Sequence, residues 1–452
     1  MAVMYGLSGE GKSTLLNSIN GVIPNIIPGE YSGEILINGR LVFNRKVSDL
    51  AREVGSVMQN ADSQIIHSKV EDEIAFACEN LNYSQEEIRE KIKFACEIMQ
   101  LDPKWDTYSL SGGQKQRLIT ATTLVMGQKI LVFDEPLANL DLEGSHMLLK
   151  VLRKLADNEG YAILFVEHRV DIVLPYADFA FRLKDGKVQK EVNKKDIIFN
   201  NIGIIEDIST PKNGQETILE LKDIKFTVGD REILKNISFD VMKGERAVIL
   251  GENGCGKTTL MRIIARLTKP SGGTVVQNID EKISNKPCPK WFAKVGYVYQ
   301  NPNYQLFMRT VKSEVGHQSN SEVNTNKFME HYKLEELSDR HPQSLSEGQK
   351  RRVSIAAITA NNPQVLLLDE PTVGQDYDGL KRIVDTLNTF HKNENITMIT
   401  VTHDYRCASS LADKVVWIKD GLVYKIGSKD LINEYFGFEC VQQSETRIRR
   451  SS

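Results

Sequence analysis

Residues 2–14 read AVMYGLSGEGKST, and residues 247–259 read AVILGENGCGKTT. In each stretch four apolar residues run straight into a GxxxxGK[ST] loop, and a helix-forming segment follows. A buried strand, a glycine-rich turn and a helix start, in that order, make a phosphate cradle. The glycines let backbone N–H groups point inward, and the helix N-terminus adds positive potential. The first loop offers Gly6, Ser8, Gly9, Gly11, Lys12, Ser13 and Thr14, and the second Gly251, Asn253, Gly254, Gly256, Lys257, Thr258 and Thr259. Lys12 and Lys257 are expected to reach the β- and γ-phosphates of a nucleotide, and Ser13 and Thr258 to hold Mg2+. One such match arises by chance in roughly a few per cent of chains this long, whereas two at corresponding places do not.

The loops open two sets of motifs in the same order. The first continues with Gln59, LSGGQ at 110–114, ILVFDE at 130–135 and His168. The second continues with Gln300, LSEGQ at 345–349, VLLLDE at 365–370 and His403. Ser111 and Ser346, Asp134 and Asp369, and His168 and His403 are each 235 residues apart. A repeat of constant separation defines the structural unit before any one motif is interpreted. It predicts a first domain over 1–200, a linker over 201–216, with the breaker Pro211, Lys212, Asn213, Gly214 in it, and a second domain over 217–452. The apolar runs ending in Asp134 and Asp369 fit strands of a parallel sheet covered on both faces. Helices are predicted over 13–20, 258–267 and 84–99, the last with Ser84 and Glu87 as a capping box.

The second half carries about thirty residues before its loop that the first half lacks. They include ILELKDIKFTV and EILKNISFDV, two runs of alternating polarity around the turn Gly229, Asp230, which predict a β-hairpin. The first half has either lost this hairpin or begins downstream of its natural start. The second alternative is expected, because an incomplete first half leaves a β edge exposed.

The chain has 452 residues, 57 basic and 60 acidic, for a formal charge of −3. That balance gives no footprint for a polyanion, so no nucleic acid is expected as a partner. The basic end, Arg447, Arg449 and Arg450, reads as a solvated tail. No apolar run reaches the ~18–20 residues needed to cross a bilayer, and no secretory signal stands at the start. These features place the chain in the cytoplasm, with any membrane link made through a partner. Six cysteines without CxxC spacing argue against zinc, iron–sulfur and disulfide frameworks. Cys255, inside the second loop, reads as a small filler residue.

Asp134 and Asp369 are placed to bind the Mg2+ shell, and Glu135 and Glu370 to polarise an attacking water. In LSGGQ, a serine hydroxyl and glycine N–H groups at a helix start form a second anion-binding surface, from Ser111, Gly112, Gly113 and Gln114, and from Ser346, Gly348 and Gln349. This resembles the signature of ATP-binding cassette (ABC) proteins, and the resemblance covers essentially the whole chain. It implies an α/β fold of two tandem P-loop domains, each a mainly parallel sheet with flanking helices, an antiparallel β-subdomain (incomplete in the first) and a helical subdomain. It also implies an intramolecular head-to-tail dimer, in which the signature of one domain closes on ATP held by the P-loop of the other. Gln59 and Gln300 match the glutamine loop, which contacts Mg2+ and the membrane partner. His168 and His403 match the switch histidine, and Asp141 and Asp376 the loop that links the sites. With both glutamates and both histidines present, two hydrolytic sites are expected. Two departures stand out. Glu347 replaces the usual glycine of the second signature, where a modest effect is expected. The adenine-stacking aromatic aligns with Val228, and Phe226, two residues earlier, is expected on the opposite strand face.

QNADSQIIHSKVEDEIAFACENL from Gln59 and QNPNYQLFMRTVKSEV from Gln300 resemble the ATPase subunits of energy-coupling factor (ECF) importers, the cobalt and vitamin uptake type. That resemblance implies ATP and Mg2+ as cofactors, and a transmembrane coupling subunit and a substrate-capturing membrane subunit as partners. It implies a peripheral location on the inner face of the cell membrane. Ile65, Ile66, Leu306 and Phe307 become candidates for lining a docking groove or the core. The competing reading is a soluble tandem ABC ATPase acting on ribosomes or nucleic acid. Such proteins usually carry long charged linkers, cysteine-rich metal regions or coiled coils, which this sequence lacks.

Overall fold

The computed structural model describes residues 1–191, 216–279 and 289–437, apart from Ser8, Asn60, Asn139, Gln318 and Asn320. The expected linker, except Glu216, therefore lies outside the described residues, as do Cys288, Cys440 and the basic end. The chain divides into two compact units, Met1–Ile202 and Gly203–Ser452.

The first unit contains strands β1 (Ala2–Tyr5), β2 (Leu36–Ile37), β3 (Arg40–Leu41), β4 (Val54–Val57), β5 (Ile130–Asp134), β6 (Ala162–Val166), β7 (Phe179–Lys184) and β8 (Lys187–Glu191). Its main sheet has the order β4-β5-β6-β1-β7-β8. Every pairing is parallel except β7 with β8. Leu131, Val132 and Phe133 are all buried, as a strand between two layers requires. Because β1, β4, β5 and β6 run the same way, their carboxyl ends deliver the P-loop, Gln59, Asp134 and His168 to one edge of the sheet. That edge is where open α/β sheets bind ligands.

Helices Val70–Glu79, Gln85–Met99 and Gly112–Val125 pack on one another around Ile74, Cys78, Met99 and Leu118, giving the helical subdomain. The second of these starts as predicted, with Ser84 and Glu87 exchanging both bonds of a capping box.

The second unit contains β9 (Thr217–Val228), β10 (Arg231–Met242), β11 (Arg246–Leu250), β12 (Gly272–Gln277), β13 (Val295–Val298), β14 (Val365–Asp369), β15 (Thr397–Val401), β16 (Lys414–Lys419) and β17 (Leu422–Gly427). The sheet order is β12-β9-β10-β17-β16-β11-β15-β14-β13. From β17 to β13 this repeats the first sheet. The predicted hairpin is β9–β10, turning at Gly229 with φ 57°. It extends the sheet beyond β17 and pairs with β12. In the first unit β8 ends the sheet among the described residues, and β2 pairs with β3 alone. The antiparallel subdomain is thus the part in which the strand layout of the two domains differs among the described residues.

The helices after the glycine loops are Lys12–Ile19 and Lys257–Ile264. The second ends three residues before the predicted limit. Arg266 takes φ 60° and the Leu267 N–H donates back to the Arg262 carbonyl, a left-handed cap that closes the last turn.

Arg246, at the start of β11, is fully buried. Its guanidinium donates to Asp413 at 3.0 and 2.5 Å, and to Asn388 Oδ1 at 2.9 Å. A buried cation of this kind is tolerated because the fork matches the carboxylate. Asp413→Ala strands that charge, so it should destabilise the second domain by about 3–5 kcal/mol. Thermal unfolding reads the effect, and a transition within a degree of wild type contradicts it.

Candidate functional site

In the second domain the loop leaving β11 turns Lys257 back on itself. Its Nζ donates to the carbonyls of Gly251 and Glu252, both at 2.7 Å, and the residue is buried. Gly254 and Gly256 take φ of 81° and 99°. A Cβ on Gly256 would stand 2.5 Å from Leu234 of β10, so the hairpin backs this loop and only glycine fits. Thr258 Oγ1 lies 3.4 Å from Asp369 Oδ1, and the Tyr297 hydroxyl donates to Asp369 Oδ2 at 3.2 Å. Burial raises the Asp369 pKa, opposed by its bonds to Thr258 and Tyr297 and by the charges of Lys257 and Arg351. Glu370 follows with φ 51°. Its Oε2 accepts from the His403 N–H at 3.2 Å, and its Oε1 is 3.5 Å from His403 Nε2. That ring nitrogen also meets Asn253 Oδ1 at 3.1 Å. Lys257, Thr258, Asp369, Glu370 and His403, with Gln300 and Thr259, line a cleft of about 450 Å³. Cys255 is buried within the loop, and burial raises its thiol pKa.

The first domain repeats the geometry. Lys12 Nζ donates to the carbonyls of Gly6 and Leu7 at 2.9 Å each. Gly9 and Gly11 take φ of 84° and 94°, and Ser8 lies outside the described residues. Asp134 is buried and its pKa is raised by desolvation, against a hydrogen bond from Ser13. Its Oδ1 is buried without a hydrogen-bond partner, and such an oxygen wants a cation or donor. The donor set of Ser13, Gln59 and Asp134, hydroxyl, amide and carboxylate, is all oxygen and suits Mg2+. Glu135, at φ 50°, accepts from Gln59 Nε2 at 2.8 Å and lies 3.0 Å from His168 Nε2.

Both signature serines cap helices. Ser111 Oγ accepts from the Gln114 N–H at 3.3 Å while Gln114 Oε1 accepts from the Ser111 N–H at 2.9 Å. Ser346 and Gln349 do the same at 3.3 and 3.1 Å. Gly112 and Gly113, and Glu347 and Gly348, form the first turns, with Gly112 and Glu347 exposed, Gly348 half-buried and Gly113 buried. Glu347 is exposed in the first turn, where an acid suits the helix dipole. Gly348 is more crowded: a Cβ there would meet Gln375 Nε2 at 3.1 Å, and that side chain would have to yield. Asp141 and Asp376 cap the helices Leu142–Glu159 and Tyr377–Glu394. Ser346, Gly348 and Gln349 are not among the residues lining their own domain's cleft.

One expectation is corrected. Side chains two apart share a strand face, and Phe226 and Val228 both line the cleft. Phe226 therefore offers the aromatic surface that Val228 lacks. Three further residues escaped the sequence reading. Tyr297 bonds the aspartate, as described. Arg351 is buried in the helix Glu347–Thr359 and donates to the carbonyls of Tyr299, at 2.6 Å, and Gln300. Burial lowers its pKa to about 10. Its first-domain counterpart is Gln116, and comparing KQR with KRR in the two signatures was the available signal.

The third is Glu167, next to the histidine in VEHR. It is 2% exposed and accepts from the N–H groups of Leu137 (2.8 Å) and His168 (3.1 Å). Burial raises its pKa from 4.5 to about 7, with the Glu135 charge adding and Leu137, Arg169 and His168 opposing. The folded state thus keeps a proton that the unfolded chain releases, so stability falls as pH rises from about 4.5 to about 7. Glu167→Gln should flatten that part of the melting temperature profile. A profile of unchanged slope contradicts the assignment.

The ABC transporter family profile matches residues 1–138 and again 234–373. A protein of Sulfurisphaera tokodaii, provisionally named an ABC transporter ATP-binding protein, is 36% identical over 96% of this chain and 93% of its own. A Bacillus subtilis protein, provisionally named an HMP/thiamine import ATP-binding protein, is 30% identical over 96% of this chain and 87% of its own. A structure of RNase-L inhibitor superposes with a TM-score of 0.70 at 21% identity, over 97% of this chain and 88% of that one, a likeness of fold. Two cassette domains in one chain, each with its loop, acidic pair and histidine at one sheet edge, make this protein an ATPase of the ABC transporter family.

Proposed function

We propose that the chain is the ATP-hydrolysing subunit of an ECF-type importer for a vitamin, its precursor or a transition metal ion, peripheral on the inner face of the cell membrane. In this reading Lys12 and Lys257, with the loop N–H groups of Gly6–Thr14 and Gly251–Thr259, hold the triphosphate. Ser13, Gln59 and Asp134 hold Mg2+ in one site, and Thr258, Gln300 and Asp369 in the other, where it would neutralise charge on the β- and γ-oxygens. Glu135 and Glu370 take the proton of the attacking water, and His168 and His403 steady the γ-phosphate. Each domain's signature, Ser111 and Gly113 or Ser346 and Gly348, completes the ATP site of the other. ATP then favours the closed state by the contacts made only there.

The observation that carries the ATPase half is the acid–histidine pairing, at 3.0 Å in the first domain and 3.5 Å in the second. Neither domain has lost its base. The importer half rests on the segment after each glutamine. Its first apolar residue packs inward, with Ile65 half-buried against the core and Leu306 2% exposed. Its second does not: Ile66 is 65% and Phe307 74% exposed. Exposed apolar side chains at the same place in both repeats favour a docking partner, here the transmembrane coupling subunit. The import name of the Bacillus subtilis relative points the same way. A complex containing an archaeal ribosome recycling factor shares the fold at 22% identity, and fold alone does not carry function. No helix among the described residues is long and apolar enough to cross a membrane, so the translocation path is assigned to the partners.

Glu135→Gln and Glu370→Gln should each retain ATP binding and slow turnover at the altered site by about 10²–10⁴. If neither change, nor the two together, slows hydrolysis, the base assignment fails. Ile66→Asp with Phe307→Asp should leave ATPase activity in place and abolish co-purification with integral membrane subunits. Recovery of ribosomes in place of those subunits by the unaltered protein would reject the importer reading.

A further inference from the structure

The two domains fasten their glutamine loops differently. In both, a signature-helix lysine reaches the turn after the glutamine: Lys115 to Asp62 in the first domain, and Lys350 to Asn303 at 2.9 Å in the second. The second domain adds two ties. Arg351 donates to the carbonyls of Tyr299 and Gln300, and Gln305 Nε2 donates to the Ser354 carbonyl at 3.0 Å. At the first position the first domain has Gln116, whose buried Nε2 has no hydrogen-bond partner among the described residues. At the second it has Gln64, whose Nε2 returns to the Met58 carbonyl of its own loop at 3.1 Å. Gln59 is held instead by its side chain, on Glu135 at 2.8 Å.

We propose that Arg351 is a positioning residue that locks the glutamine loop of the second domain to its signature helix, making the two ATP sites unequal. A planar cation with two carbonyl acceptors fixes the peptide groups on either side of Gln300, and burial shields both bonds from water. The Gln300 loop and the helix Glu347–Thr359 then move as one body. Among the described residues the first domain has no such lock, and its glutamine must leave Glu135 before that carboxylate can serve a water. The second site is therefore the readier of the two. This rests on the ATPase reading above, and part of its test needs no nucleotide.

Amide hydrogen exchange on the full nucleotide-free chain gives the first readout. Amides of the Gln300 loop should exchange about 10-fold more slowly than those of the Gln59 loop. Arg351→Gln should remove the difference, and Gln116→Arg should slow the Gln59 loop. The second readout is turnover at the second site, isolated by Glu135→Gln. There Arg351→Gln should lower kcat about 10-fold with little change in KM, and Arg351→Lys, which can still reach one carbonyl, should recover part of it. If Arg351→Gln leaves exchange unchanged while Gln116→Arg also does nothing, the lock does not exist. If exchange rises but kcat holds, Arg351 is structural only and the proposal falls. If Glu135→Gln and Glu370→Gln fail to slow hydrolysis, the base assignment falls by itself, and the exchange result still judges the lock.

Discussion

A carboxylate at the end of a buried apolar strand is the constraint on which each domain depends. Asp134 ends ILVFD and Asp369 ends VLLLD, with neighbours removed from water. Desolvation pushes both acids toward protonation. Their ionised forms survive only if hydroxyls, an ammonium and, in the proposed working state, Mg2+ stand close by. That requirement explains the layout of the sheet edge. The P-loop lysine and hydroxyl come from the strand two places away, and the histidine and glutamate close the ring around the same corner. A sheet with one of these strands reversed would send its residue to the far edge and leave the acid stranded.

The same requirement is met in two chemically distinct ways. In the second domain Tyr297 and the charge of Arg351 support Asp369, and the residue before the histidine is the buried Thr402. In the first domain neither Tyr297 nor Arg351 has a like counterpart: Ser56 and Gln116 stand there, and Glu167 precedes the histidine. The first corner therefore gathers three carboxyl groups, Asp134, Glu135 and Glu167, with less positive charge nearby. Burial is what raises the Glu167 pKa to about 7, and the Glu135 charge adds to it. The two domains share the motif residues and differ in what supports them.

That pattern also sets what could be read from the sequence. The motif residues and the strand, loop and helix order around them were legible because glycines, lysines and acids at fixed spacing answer to phosphate and metal chemistry wherever they occur. The hairpin was legible from its alternation and its Gly229 turn. Arg351, Tyr297 and Glu167 were not, because each acts through a contact 30 to 72 residues away and has no periodicity of its own. Phe226 was misplaced by a slip over strand period, which the pleat corrects. The helix limit at Ile264 was set by a left-handed Arg266, a conformation that an arginine does not announce.

The supports, and not the motifs, decide how the two sites can differ. If catalysis needed only the motif residues, both domains would hydrolyse ATP alike, since Glu135 and His168 match Glu370 and His403 residue for residue. Yet the glutamine is held by its side chain in one domain and by its backbone in the other. A side-chain bond to the proposed base competes with the water that base must reach. A backbone bond leaves the base alone and fixes the distance from which the glutamine side chain works. On the proposal above, the first arrangement would store a resting state, and the second readiness. A chain that kept both would have one site to hold ATP and one to spend it.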